Sequence, residues 1–213
     1  MNATANPPPK SRESSEDRKA AIAAAARALI VEKGFEGLRT RDIAERVGIN
    51  IATLHYHVPT KEALIALVAD DIRAELREQS SGKGRENLSP AAQLECEFDD
   101  YAELLGEKVA LLTALSELLE RSRRDPVMLG CVGPMMGKWK RMVEEILARG
   151  VASGDFRADL DPDPAARMLV GAMTGFSRAP NATPENFKRL RTELTRAVRN
   201  PNLPTLPTQG PRP

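Results

Sequence analysis

Thr40, Arg41, Asn50, Thr53, His55, Tyr56 and Lys61 crowd hydroxyls, an amide, an imidazole and two cations into one short stretch. Such groups, carried on helices, hold phosphates and read base edges. Catalysis finds less material. His55 and His57 are the only histidines, and at i and i+2 they point to different faces of a helix, so they cannot chelate one metal together. Cys96 and Cys131 stand far apart with no metal spacing and read as buried, reduced thiols. No phosphate-cradling glycine loop, nucleophile elbow or paired-histidine motif is present. The expectation is no metal, no cofactor and no enzyme.

The elements that must position these groups are short. Thr40 is expected to cap a helix whose buried face is Ile43, Ala44 and Val47. Gly48 ends it, because a positive φ there is cheap. Asn50 caps the next helix, Ile51 to His57, which Pro59-Thr60 breaks, with Thr60 capping a third. Two short helices joined by a tight turn containing glycine form a helix-turn-helix unit, whose second helix enters the DNA major groove. Upstream, Ser14 or Ser15 caps a long helix with Asp17 as the partner of Ser14 in a capping box. Its stripe, Ile22, Ala25, Ala26, Leu29 and Ile30, ends at Gly34 and braces the motif.

The run from Gly34 to Ile49, then Ala52-Thr53-Leu54-His55-Tyr56-His57-Val58 and Lys61-Glu62-Ala63-Leu64, resembles the tetracycline-repressor (TetR) family of bacterial transcription regulators. The resemblance is dense from Ile22 to Leu67 and only architectural beyond residue 80. His55 stands where the family usually has tyrosine, and Val58 where phenylalanine is commoner. The resemblance implies DNA-contacting roles. Arg41 reaches a base edge; Ile51 and Ala52 start the reading helix and can meet a thymine methyl. Thr53 and Tyr56 offer hydroxyls, and Lys61 binds a phosphate. Asn50 and Thr40 cap and contact the backbone, and His55 faces DNA in place of the tyrosine, with a weaker or pH-dependent contact. His57 matches the family's structural core histidine.

Hydrophobic residues make up 41% of the 213, enough for a core, and aromatics only 4%, so that core must be Ala, Leu, Val and Met. Such residues favour helices. The formal net charge is +1, from 31 basic and 30 acidic side chains, so total charge argues nothing about nucleic acid. The N-terminus lacks the apolar region of a signal peptide, and no apolar run approaches the ~18 residues of a membrane span. A cytoplasmic protein with no membrane partner is expected.

The remaining chain reads as helices around loops. Residues 1–13, with Pro7-Pro8-Pro9, Lys10 and Arg12, read as a disordered arm, and 14–60 as the helix-turn-helix domain. Residues 61–79 form a lever helix, with Leu64, Leu67, Val68, Ile72 and Leu76 along one side. Residues 80–88 read as a flexible link, and 80–199 as a larger helical domain for ligand binding and dimerisation. Ser89-Pro90 opens a helix to about Leu105. Its acidic face, Glu95, Glu97, Asp99, Asp100 and Glu103, reads as solvated. Val109 to about Arg123 follows. Pro134 either kinks the helix in 126–153 or begins it. Pro162 or Pro164 starts the next helix, and Pro184 to about Val198 is the last. Residues 200–213, with several prolines, read as a disordered tail.

The fold expected is all-α: a three-helix helix-turn-helix domain followed by a larger helical domain. The family resemblance raises Phe98, Tyr101, Leu115, Leu119, Met128, Met135, Trp139 and Met142 as lining for a small apolar ligand. It also implies a homodimer through the last two large helices, carrying Met168, Ala172, Phe176, Phe187, Leu190 and Leu194, on double-stranded DNA. The function expected is a ligand-responsive repressor on a palindromic operator. The competing readings are a helical enzyme or ligand-binding protein whose N-terminal motif is structural, and an activator without a small ligand.

Overall fold

Caps and glycines divide the chain into helices where the sequence places the breaks. The computed structural model describes residues 14–80 and 84–202. The expected arm 1–13, residues 81–83 of the link and 203–213 of the tail lie outside the described residues. Within them the helices are α1 (Ser15–Lys33), α2 (Thr40–Val47), α3 (Ile51–His57), α4 (Lys61–Ser80), α5 (Pro90–Gly106), α6 (Val109–Ser122), α7 (Pro126–Ser153), α8 (Pro162–Phe176) and α9 (Pro184–Val198). Short 3-10 turns occupy Phe35–Gly37 and Arg85–Asn87. The fold is all-α, and two compact units meet between Asp71 and Ile72, inside α4.

The first unit begins with a capping box. The Ser14 hydroxyl accepts from the Asp17 N–H at 3.0 Å, and the Asp17 carboxylate accepts from the Ser14 N–H at 3.1 Å. This settles Ser14 over Ser15 as the cap, an arrangement worth about 1 kcal/mol. The stripe Ile22, Ala25, Ala26, Leu29 and Ile30 is buried, and α2 and α3 pack against it. Arg27 of α1 pairs with Asp71 of α4 at 3.1 Å. Along α4, Leu64, Val68 and Ile72 are buried as expected, whereas Leu67 and Leu76 are only half-buried.

The second unit is built on α7, which packs on α5, α6 and α8. The helix runs unbroken from Pro126 through Pro134, with the Asp125 side chain accepting at its start from the N–H groups of Val127 and Met128. An interior proline loses one backbone bond and crowds the carbonyl four residues back. Here that residue is Gly130, Pro134 itself is exposed, and the helix continues through the ring. Pro162 is the first residue of α8, with Asp161 as its cap.

Three expectations change in this unit. The acidic face of α5 is not simply solvated. Arg191 of α9 pairs with Glu95 and Asp99, Arg85 with Glu97 and Asp100, and Lys108 with Glu103. The cations come from outside α5, Arg191 from 96 residues beyond Glu95. The described end of the 80–88 link is likewise held, because Arg85 anchors its 3-10 turn. Asn200, read as the start of the tail, donates from its backbone to Asp155 at 3.1 Å and from its side chain to Gly154 at 2.8 Å.

Candidate nucleic-acid interface

The turn between α2 and α3 is set by Gly48, at φ 73° and ψ 34°. Its N–H donates to the Glu45 carbonyl at 3.1 Å, and the Ile49 N–H to the Ala44 carbonyl at 2.9 Å. These are the paired closing bonds of a helix ended by a left-handed residue, a conformation that only glycine adopts cheaply. Two residues on, the Asn50 side chain accepts from the Thr53 N–H at 2.7 Å and starts α3. Thr60 does the same for α4, accepting from Ala63 at 3.1 Å.

Thr40 does not cap α2. Arg39 is the cap residue and makes no side-chain cap bond, and Thr40 is the first helical residue. The Ile43 N–H already finds the Arg39 carbonyl at 3.1 Å, so the helix starts one residue earlier than the threonine rule predicts. Thr40 and Arg41 both remain exposed.

On α3 the inside and outside faces separate cleanly. Leu54 is 1% exposed and Val58 6%. Ile51, Ala52, His55 and Tyr56 are exposed, Tyr56 to 82%. Thr53 is half-buried, with its N–H committed to the cap. Lys61 is exposed, and its ammonium lies 5.4 Å from the centre of the buried Phe35 ring, which fixes the long side chain near the start of α4. Half-buried His57 meets Tyr56 edge-on at 5.2 Å, and its Nδ1 lies 3.5 Å from the Ser15 hydroxyl.

Charge around α2 is arranged in pairs with α1. Arg46 grips Glu32 through two bonds of 2.7 and 2.8 Å, and Lys33 reaches Asp42 at 2.7 Å. The bond from Arg46 holds the Glu32 carboxyl below its usual range, and that from Lys33, helped by the nearby charges of Arg39 and Arg41, does the same for Asp42. Arg39, which no motif in the sequence marks, thus adds a second exposed cation beside Arg41. Both carboxyls are easier to deprotonate folded than unfolded. Their stabilisation is complete above the ordinary carboxylate range and drains away as pH falls through and below it. Thermal melts should therefore fall in acid, and Glu32→Gln should flatten that fall without moving the melt at neutral pH by much, since exposed pairs contribute little.

The residues raised for a ligand pocket differ widely in burial. Phe98, Tyr101, Leu115 and Met128 are buried core, Leu119, Met135 and Trp139 are half-buried, and Met142 is 38% exposed. Met142 is corrected to the surface: the face of α7 that packs inward is Val143, Ile146 and Leu147. Two clefts of about 380 and 250 Å³ lie elsewhere, the first against Phe176 and Leu190, the second against Leu105, Val109 and Leu112. Of the residues raised for a dimer face, Phe187 and Leu194 turn into the chain's own core, at 0% and 6% exposure. Met168 is exposed, while Ala172, Phe176 and Leu190 are half-buried.

Residues 22–68 match the family model described as bacterial regulatory proteins, tetR family, and residues 111–194 one described as tetracyclin repressor-like, C-terminal domain. The HTH-type transcriptional regulatory protein RaaS of Mycobacterium tuberculosis is 30% identical over 147 residues, which is 67% of this chain and 60% of that protein. The chain thus spans less than two thirds of that curated relative. A TetR-family regulator structure from Rhodococcus sp. superposes with a TM-score of 0.77 at 22% identity, over 85% of this chain and 98% of that one. A transcriptional regulator from Saccharomonospora viridis, in complex with choline, gives 0.76 at 18% identity, over 86% and 98%.

Proposed function

Since this chain belongs to the TetR family of bacterial regulatory proteins, we propose that it is a ligand-responsive, sequence-specific DNA-binding regulator. It acts in the cytoplasm as a homodimeric repressor on a palindromic operator. The observation that carries this reading is the outward face of α3, Ile51, Ala52, His55 and Tyr56, on a helix whose opposite side is anchored by Leu54. Ile51 and Ala52 offer thymine methyls an apolar contact, and Tyr56 and Thr53 bring hydroxyls. Arg41 reads a guanine edge, and Lys61, with Asn50 and Thr40, holds phosphates on either side. His55 faces the DNA beside Tyr56.

One seven-residue helix reads too few bases, so two copies are needed, a helical turn or so apart. The outer sides of α8 and α9 form the pairing face through Met168, Ala172, Phe176 and Leu190. The second unit takes a small ligand with a substantial apolar part. Choline in the Saccharomonospora relative supports a small-molecule role for this unit. The ligand favours a population in which α4 holds the two reading helices at the wrong separation.

The test is fluorescence anisotropy on DNA from upstream of the gene, over a range of salt, with Arg41→Ala and Lys61→Ala. Binding should be specific and steeply salt-dependent. Lys61→Ala should make the slope shallower by about one unit, and Arg41→Ala should lose about 1–3 kcal/mol of discrimination at one position. Sequence-indifferent binding by the wild-type protein at every salt, on that DNA and on a random-sequence library, would instead favour the helical enzyme or ligand-binding alternative.

A further inference from the structure

One of the pairs that neutralise α5 leads to the protein's single tryptophan. Arg85, in the turn before α5, donates its two terminal nitrogens to the two oxygens of Asp100, each at 2.7 Å. One of the same nitrogens reaches Glu97 Oε1 at 3.3 Å. The three side chains are shielded, with 16%, 15% and 13% exposure for Arg85, Asp100 and Glu97. The other Glu97 oxygen accepts from the indole N–H of Trp139 on α7 at 3.1 Å. Trp139 lies nearly parallel to Tyr101, whose hydroxyl donates to the Met173 carbonyl on α8.

The opposite end of this chain of bonds is α4. Gln79, in its last turn and 7% exposed, donates to the Asp100 carbonyl at 3.0 Å. Gln93 donates to the carbonyls of Arg85 and Leu88, each at 3.0 Å. The end of α4, the turn at 84–88, α5 and α7 are therefore joined through six side chains, Gln79, Gln93, Arg85, Asp100, Glu97 and Trp139, that leave little slack. A planar guanidinium on a planar carboxylate resists rotation, and Glu97 serves the latch with one oxygen and the indole with the other.

We propose that Arg85 and Glu97 are positioning residues that couple the placement of Trp139 to the hold on the C-terminal end of α4. When the indole moves, Glu97 loses a donor in a shielded site and turns to recover one. Its oxygen facing Arg85 moves with it, and the turn at 84–88 loosens with the end of α4. The coupling runs equally in reverse, because linkage is reciprocal. Its regulatory use rests on the ligand-responsive reading above. Any ligand that displaces Trp139 would then be felt at α4 without touching it.

Because Trp139 is the only tryptophan, its emission reports this site alone. In the full-length protein, without DNA or ligand, Arg85→Ala should shift that emission to the red and raise its quenching by acrylamide, although Arg85 makes no bond to the indole. In the other direction, Trp139→Phe should speed amide exchange in residues 76–80 and 84–88 by about five-fold or more, the low end of ordinary site-to-site coupling. Arg196→Ala, at an exposed pair on α9, should change neither. If Arg85→Ala does not fold, Arg85→Lys, which keeps the charge and loses the fork, gives the same readings in weaker form. Arg85 variants with wild-type Trp139 emission and quenching, together with unchanged exchange in Trp139→Phe, would overturn the coupling. Failure of any ligand to alter DNA binding would count against the regulator reading alone, since these measurements contain neither.

Discussion

Leu54→Ala should abolish operator binding while removing nothing that touches DNA. Leu54 is 1% exposed at the middle of α3, which packs on both α1 and α2. Alanine is a better helix former than leucine, so local propensity is preserved and the loss is packing alone. Truncation of a buried leucine costs about 2–5 kcal/mol. Whole domains are stable by only about 5–15 kcal/mol, and a seven-residue helix has no stability of its own in water. The reading head should therefore be largely unfolded near 37 °C, with the second unit still folded. His55→Ala makes the contrast, because the side chain is exposed. It should weaken binding and leave the melt in place. Calorimetry and anisotropy on the same samples distinguish the two. Wild-type melting and affinity in Leu54→Ala would mean that α3 is not held from within.

What was legible in the sequence is what local rules decide. Asn50, Gly48, Thr60, Ser14 and Ser89-Pro90 act on backbone groups within a few residues, so their positions place helix ends directly. Thr40 marks the edge of that competence. It is a good cap residue one position too late, because α2 takes Arg39 as its cap position, without a side-chain cap bond, and starts at Thr40 itself. The inside of α3 was legible for the same local reason, since Leu54 and Val58 are four apart. The pairing of α5 was not. Arg191 lies 96 residues from Glu95, and no periodicity links them. An apolar stripe likewise announces that something covers it, without saying what. Phe187, Leu190 and Leu194 share a stripe on α9, yet two of them are covered by their own subunit and one is left at the surface of a cleft.

That split makes α9 the place where core and interface can be told apart by experiment. Phe187 is 0% exposed, and its ring centre lies 5.0 Å from that of Tyr101, 5.6 Å from Phe176 and 6.3 Å from Phe98. Phe187→Ala leaves a hole among three rings and should cost about 3–5 kcal/mol. At about 2–4 °C per kcal/mol for a domain of this size, the second unit should melt roughly 6–20 °C lower. Leu190 is one helical turn away but half-exposed beside Phe176. Leu190→Asp leaves the subunit interior intact, so the melt measured in dilute monomer should stay near wild type. If the outer sides of α8 and α9 pair in the dimer, the new carboxylate meets its own symmetry mate near the two-fold axis. Sedimentation should then show monomers, and operator affinity should fall with them, because each reading helix would bind alone. A Phe187→Ala protein that melts like wild type would overturn the core assignment. A Leu190→Asp protein that stays dimeric would move the pairing face away from α9.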